Sequence, residues 1–261
     1  MILAIDIGNT NIVLGGIEGT EIVKEARMAT DVIKTSDQYC AELKIMLDLL
    51  EIDRMSIEGA IISSVVPPVL NSFKTAIVKL TGKVPLVVGP GIKTGLNILL
   101  DNPAMAGGDL IVGAVAALAE YRPPLLVVDM GTATTMTAID GKGNFLGGSI
   151  FPGVKISAEA LSGKTAQLPA ISLEAPNKAI GRNTIDSMRS GVMMGHAAML
   201  DGMIDRMEAE LDGPVTVVAT GGIARFVIPM CRRTLIYDKD LLLKGLRILY
   251  ENNTKKKSHH G

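Results

Sequence analysis

The chain has 261 residues, with 26 Lys or Arg against 27 Asp or Glu and a formal net charge of −1. That balance leaves no basic surplus for nucleic acid or an anionic membrane, and an aromatic content of 3% without Trp removes the stacking platforms of a single-strand binder. Hydrophobic residues make up 48%, a globular composition large enough for a sizeable core in one domain or two smaller ones.

The chain opens directly on an apolar strand, Ile2–Ile5, with no basic start and no cleavable apolar run, so no signal peptide is expected. Strands follow at Asn11–Ile17 and, after the turn Glu18-Gly19-Thr20, at Glu21–Met28. Ser36–Leu50 has Leu43, Met46, Leu47 and Leu50 at helical spacing behind a Thr/Ser/Asp start. Gly59–Ser63 reads as a strand, Pro67-Pro68 opens a helix through Lys79, and Val84–Val88 reads as a further strand. Residues 89 to 108 are rich in Gly, Pro and Asn and form a long loop, which points to function more than to plain connection. Asp109–Glu120 is a helix of small residues.

The second half begins as the first did. Strands at Leu125–Val128, Thr135–Ile139 and Phe145–Ile150 surround the turn Asp140-Gly141-Lys142-Gly143-Asn144. Val154–Leu161 is a short helix, 162 to 180 is irregular, and Thr184–Glu210 reads as one long helix whose Gly191, Gly195 and Gly202 suggest close packing. Val215–Ala219 and Thr234–Tyr237 are strands separated by a helix, and Asp240–Tyr250 is a terminal helix ahead of a polar, basic tail. No apolar span is long and uncharged enough for a transmembrane helix. Cys40 and Cys231 form no CxxC pattern, so neither a disulfide framework nor a structural zinc is expected, and a reducing cytosol is the natural compartment.

A strand, an acidic glycine turn, a strand, a glycine turn and a strand are thus written twice, which implies an internal duplication and two similar lobes. The two acidic turns carry the chemistry. Asp6-Ile7-Gly8-Asn9-Thr10 and Asp129-Met130-Gly131-Thr132-Ala133-Thr134 each follow a short apolar strand. Glycine lets backbone N–H groups approach an anion, the hydroxyls and Asn9 add donors, and a carboxylate can hold Mg²⁺ directly or through water. One such turn reads equally well as a capped β-turn. Two in matching contexts favour a metal-bound polyphosphate held between two lobes, and so an ATP-dependent phosphotransferase. Thr220-Gly221-Gly222 at a strand end permits a base or ribose to lie flat on backbone, or is simply a tight strand-to-helix turn. Asp109 stands at a helix start, where it is either an N-cap or a general base. Gly163-Lys164-Thr165 lacks the earlier glycine of a Walker A loop, because Ala158 stands there. His196, among Met193, Met194 and Met199, reads as packed rather than catalytic, and His259-His260 receives no role.

Taken together these segments resemble the bacterial type III pantothenate kinases. Asp6–Asn11 is similar to that family's first phosphate motif and Asp129–Thr134 to its second. Ser63-Ser64-Val65-Val66-Pro67, Gly89-Pro90-Gly91 with Lys93-Thr94-Gly95-Leu96, Asp101-Asn102-Pro103, Gly147-Gly148-Ser149-Ile150 with Pro152-Gly153, and Thr220-Gly221-Gly222 follow in the family's order up to about residue 250.

The resemblance implies an α/β fold of two ribonuclease-H-like lobes of the actin, hexokinase and acetate kinase type, here 1–115 and 116–251, with 252–261 as a flexible tail. It implies ATP-dependent phosphorylation of the 4′-hydroxyl of pantothenate in the first step of coenzyme A synthesis. Mg²⁺ and a monovalent cation, K⁺ or NH₄⁺, are the implied cofactors, and a homodimer without nucleic-acid or membrane partners is the implied assembly. Residue by residue, Asp6, Ile7, Gly8, Asn9, Thr10, Asn11, Ile12 and Val13 would carry ATP phosphates and metal, with Thr132, Gly221 and Gly222 also on the nucleotide. Asp109 would accept the hydroxyl proton and Asp129 would bind the monovalent cation. Leu100, Gly107, Gly108, Asp109, Leu110 and Thr184 would line the substrate pocket. The chain departs from the family where Leu110 replaces an Arg, Leu100 a Tyr and Gly113 an Asn. A guanidinium suits pantothenate's carboxylate, and losing one such bond costs about 1.5–3 kcal/mol, roughly 10–150-fold in affinity. The departure therefore also admits a kinase of the same fold with another acceptor, or a nucleotide-binding regulatory paralogue.

Overall fold

The computed structural model describes residues 1–211 and 213–254. The chain divides into two compact units, one made of Met1–Gly95, Asn102–Ala116 and the segment from Asp240, the other of Leu96–Asp101 and Ala117–Lys239. Each is α/β and each is organised by one sheet.

In the first unit, β1 (Ile2–Ile7), β2 (Asn11–Glu18), β3 (Glu21–Ala29), β4 (Gly59–Ser64) and β5 (Leu86–Val87) lie in the order β3-β2-β1-β4-β5. The first two pairings are antiparallel and the last two parallel. Side chains alternate across a strand, and β1 uses both faces. Leu3, Ile5 and Ile7 enter a core with Tyr39, Leu43 and Leu47 of α1 (Ser36–Leu49) and Phe73, Ile77 and Leu80 of α2 (Pro67–Thr81). Tyr39 and Phe73 meet edge to face, 5.3 Å between centroids. The buried phenol is satisfied, donating to the Asp31 carbonyl at 2.7 Å and accepting from the Asp31 N–H at 3.0 Å. A reciprocal Thr35–Gln38 capping box starts α1, Pro67 and Pro68 start α2, and Gly82 ends α2 at φ +70°.

The opposite face of that sheet receives α8 (Leu241–Thr254). Close approach there requires glycine. A Cβ on Gly59 would strike the Tyr250 hydroxyl, one on Gly15 would lie 2.9 Å from Leu243, and one on Gly245 would strike the Val112 carbonyl of α3 (Gly108–Glu120).

The second unit repeats the plan. β7 (Leu125–Met130), β8 (Ala133–Ile139), β9 (Asn144–Pro152), β10 (Thr216–Thr220) and β11 (Ile236–Tyr237) lie in the order β9-β8-β7-β10-β11, with the same two antiparallel and two parallel pairings. Leu126, Val128 and Met130 of β7 enter a core with Val154 and Ala158 of α4 (Val154–Lys164) and with Ala197, Leu200 and Ile204 of α6 (Gly195–Glu210). The duplication read from the acidic turns thus extends to strand order and direction.

Several sequence expectations are corrected. The strand expected over Val84–Val88 is cut to Leu86–Val87, and the loop 89–108 contributes β6 (Asn97–Ile98), which pairs with β9 at the edge of the second sheet. The helix expected over Thr184–Glu210 is broken. It comprises α5 (Thr184–Arg189), a π-helical segment Ser190–Met194 and α6. Glycine weakens a helix, and Gly191 and Gly195 flank a ladder that Ser190 and His196 tie to other carbonyls. Those two glycines also have nothing within 4 Å of a notional Cβ, so neither serves the close packing expected of it.

At the C-terminal end, α8 continues to Thr254 because the Asn253 amide both donates to the Lys93 carbonyl (3.0 Å) and accepts from its N–H (2.9 Å). The remainder of the expected tail, with His259-His260, lies outside the described residues. Among those described, no helix is long and apolar enough to cross a membrane.

Gly245→Ala should lower stability by about 1–3 kcal/mol through overpacking, despite alanine's better helix propensity. Gly163→Ala, in open space on α4, should be neutral or stabilising by up to about 1 kcal/mol. Urea denaturation of the two variants checks the contrast.

Candidate active site

The carboxyl end of β1 delivers Asp6 into the first acidic turn. Alternation sends Ile7 and Ile12 fully into the core, so those two can offer a ligand only their backbone. Gly8 N–H closes the turn on the Asn11 carbonyl at 3.0 Å, and the Thr30 hydroxyl anchors it from outside by donating to the Gly8 carbonyl at 2.6 Å. A Cβ on Gly8 would come 3.2 Å from that Asn11 oxygen, so the turn is tight for any other residue. Asn9, Thr10 and Asn11 are left exposed at its tip.

α3 begins beside the ends of β4 and β5. Gly108 rests on Val88 and Ser63, where an added Cβ would make ordinary contacts at 3.5 and 3.6 Å. Gly107 is more constrained, since its Cβ would lie 2.6 Å from Asp109 Oδ1. The Asp109 carboxylate folds back over that glycine and accepts the Leu110 N–H at 2.9 Å. Burial raises its pKa above the ordinary aspartate value, against the lowering effect of the Leu110 and Asp109 backbone N–H groups. Asp109 is therefore not the N-cap, because α3 already starts at Gly108; its carboxylate lies within the first turn, bonds the neighbouring N–H and is held at raised basicity. Leu110 is half-buried next to it and Gly113 is buried along the same helix.

In the second unit, Asp129 ends β7 and Gly131 N–H closes the following turn on the Ala133 carbonyl at 3.0 Å. Two other strand ends meet this turn. Gly221, at φ +95°, lies where a Cβ would be 2.5 Å from the Met130 carbonyl and 2.8 Å from Asp129 Oδ1. Gly153 follows β9, and its Cβ would strike the Thr132 carbonyl. Thr132 is half-buried and Gly222 exposed. Thr134, counted in sequence among the phosphate donors, points the other way. It is fully buried on the Met136 side of β8, its hydroxyl without a partner, whereas Thr135 pairs with Asp129 on the opposite face. Leu100 packs near Gly147, and exposed Thr184 opens α5 behind the Asn183 cap.

The structure thus gathers Asp6 and Gly107–Leu110 in the first unit, and Asp129, Thr132 and Gly221 in the second, with Leu100 and Thr184 also belonging to the second. Ser63 is the residue that sequence reasoning passed over. It was visible only as part of a signature, and its position opposite Asp6 depends on the β1–β4 register.

The remaining candidates are structural. His196 is buried, with its two ring nitrogens 2.6 Å and 3.1 Å from the Val192 and Pro152 carbonyls. Lys164 and Thr165 lie at the carboxyl end of α4, not at a phosphate-binding helix start. Cys40 and Cys231 are free thiols, and burial pushes that of Cys231 up to about 12, out of nucleophilic range.

Comparison with known proteins bears on the arrangement as a whole. The activator of 2-hydroxyisocaproyl-CoA dehydratase from Clostridium difficile, solved with bound ADPNP, shares the fold at a TM-score of 0.53 and 13% identity, over 96% of this chain and 94% of that one. A family model described as type III pantothenate kinase matches residues 2–206. The type III pantothenate kinase of Exiguobacterium sibiricum is 46% identical over 253 residues, 97% of this chain and 100% of that protein. A second Exiguobacterium enzyme of the same description is 46% identical over 98% of this chain and 100% of its own length. A family match over most of the chain, with near-half identity along the whole of two relatives, establishes that the chain belongs to the type III pantothenate kinase family.

Proposed function

We propose that this kinase transfers the terminal phosphoryl group of ATP to the 4′-hydroxyl of pantothenate, opening coenzyme A synthesis. The observation that carries the reading is the Asp109 carboxylate, half-buried at the first turn of α3 and raised in basicity, in the same unit as the Asp6 turn. As the acceptor oxygen bonds to phosphorus, its proton passes to Asp109. The bond from phosphorus to the bridging oxygen breaks, and ADP leaves with that oxygen. Asp6 would hold the phosphates through Mg²⁺, which supplies charge neutralisation on their oxygens when bound. One carboxylate fits that role, because Mg²⁺ keeps waters and phosphate oxygens as its other ligands, and the described residues contain no cluster of three metal-ligating side chains. Asp129 would hold K⁺ or NH₄⁺. In support, its Oδ1 and the Met130 carbonyl oxygen lie together beside Gly221, two oxygen ligands of the kind a hard cation takes.

In the first unit, Asn9, Thr10 and Asn11 would donate to phosphate oxygens, and Gly107, Gly108 and Leu110 would border pantothenate. In the second unit, Thr132, Gly221 and Gly222 would be nucleotide residues, and Leu100 and Thr184 substrate residues. We read the enzyme as a homodimer of the cytosol. Two free thiols suit a reducing compartment.

The test is ATP consumption by purified protein with Mg²⁺ and K⁺, with and without pantothenate. Turnover should require pantothenate, and its absence with pantothenate present would overturn the reading. Asp109→Asn should lower kcat about 10²–10⁴-fold. Because the folded state holds the Asp109 pKa above its unfolded value, the ionised group opposes folding at neutral pH and this opposition disappears as pH falls below the unfolded value. The variant should therefore melt at the same or a higher temperature at pH 7. In the wild type, kcat/KM should fall on the acid side at a pH above the ordinary aspartate value of about 3.9, a limb absent from the residual activity of Asp109→Asn.

Leu110→Arg should lower the KM for pantothenate about tenfold or more, if the acceptor carboxylate lies beside the first turn of α3. An unchanged KM for this variant in the same assay would place that carboxylate elsewhere.

A further inference from the structure

Ser63 is fully buried and its hydroxyl has no hydrogen-bond partner. Buried hydroxyls nearly always find one, because desolvation without compensation is unfavourable. Its surroundings show what kind of partner fits. β1 and β4 run parallel with Asp6 opposite Ser63, and residues in parallel register project from the same face of the sheet. The start of α3 lies on that face, with Ser63 Oγ 3.6 Å from the position a Cβ would take on Gly108. The hydroxyl is therefore directed at the N-terminus of a 13-residue helix, where peptide dipoles favour an anion.

The second unit contains the same pairing. Buried Thr220 of β10 stands opposite Asp129 of β7, again in parallel register. In both units an aspartate at the end of a central strand has a buried hydroxyl residue beside it on the parallel neighbour. Thr134, whose hydroxyl also lacks a partner, faces the apolar core instead and shares none of this setting.

Resting on the kinase reading above, we propose that Ser63 is a further catalytic residue, whose hydroxyl donates to an oxygen of the terminal phosphoryl group of a nucleoside triphosphate. The terminal phosphoryl must come between the phosphates gathered at Asp6 and the acceptor hydroxyl at Asp109, and Ser63 adjoins both the Asp6 position and the helix start that carries Asp109. Ser63 keeps its proton throughout. It gains an acceptor when the triphosphate binds, and the fixed donor stabilises negative charge on the transferring group.

Calorimetric titration of wild type and Ser63→Ala with ADP and with a non-hydrolysable ATP analogue, each with Mg²⁺, tests the assignment. Affinity for the analogue should fall about 10- to 100-fold while that for ADP is unchanged. The unliganded variant should melt no lower than wild type, because the hydroxyl removed had no partner. In turnover, kcat should fall about tenfold or more with the KM for pantothenate unchanged. Equal loss for both nucleotides, or no loss for either, overturns the proposal. Ser63→Cys keeps the size with a weak donor and decides the same comparison if the alanine variant does not fold. A wild type that binds the analogue without phosphorylating pantothenate would overturn the acceptor reading alone, and the paired titrations would still decide Ser63.

Discussion

The parallel register of β1 and β4 is the constraint on which the first unit depends. A pleated strand serves two faces at once. Leu3, Ile5 and Ile7 hold the layer of α1 and α2, while Ala4 and Asp6 look toward the side where α3 and α8 arrive. A shift of one residue would exchange the two sets, placing a carboxylate in the Tyr39–Phe73 core, where an unpaired charge costs several kcal/mol. Apolar burial on one face thereby fixes where the acid points on the other. The glycines at 15, 59 and 245 let α8 come close enough to cover that second face.

The same construction in the second unit has diverged in its details. The first acidic turn carries four residues between paired strand positions and the second carries three. The first has a helix start with a second carboxylate beside it. The second has Gly221 and Gly153 pressed against the turn backbone. The two copies thus place different groups around the same acidic turn, a carboxylate at a helix start in one unit and close-packed glycines in the other. Asp109 shows the tension this creates, because the burial that raises its basicity also opposes its ionisation in the folded state.

The acidic turns were legible because they depend only on neighbours in sequence: an apolar run, an aspartate, a glycine and hydroxyls. The duplication followed from comparing two such stretches, and its strands were placed to within a few residues. What was not legible depends on partners far along the chain. Ser63 acquires meaning only once β4 is known to lie against β1. Thr134 looked like a donor because hydroxyls cluster there, and only the pairing with Met130 and the fixed alternation of β8 show which of the neighbouring threonines faces the site. The break at Ser190–Met194 was hidden because the apolar period runs on through it, although Gly191 and Gly195 mark it in hindsight. Asn253 read as tail because its partners, the backbone groups of Lys93, carry no side-chain signature.

The first unit is assembled from stretches that leave the ribosome at very different times. Its sheet is encoded before residue 95, yet the helix that covers one side of that sheet lies beyond residue 240. The second unit needs nothing from beyond Lys239. During synthesis the Asp6 face therefore lacks its α8 cover while the other unit can already close around its own core. A chain that stops short of α8 would carry the Asp6 turn on a half-covered sheet.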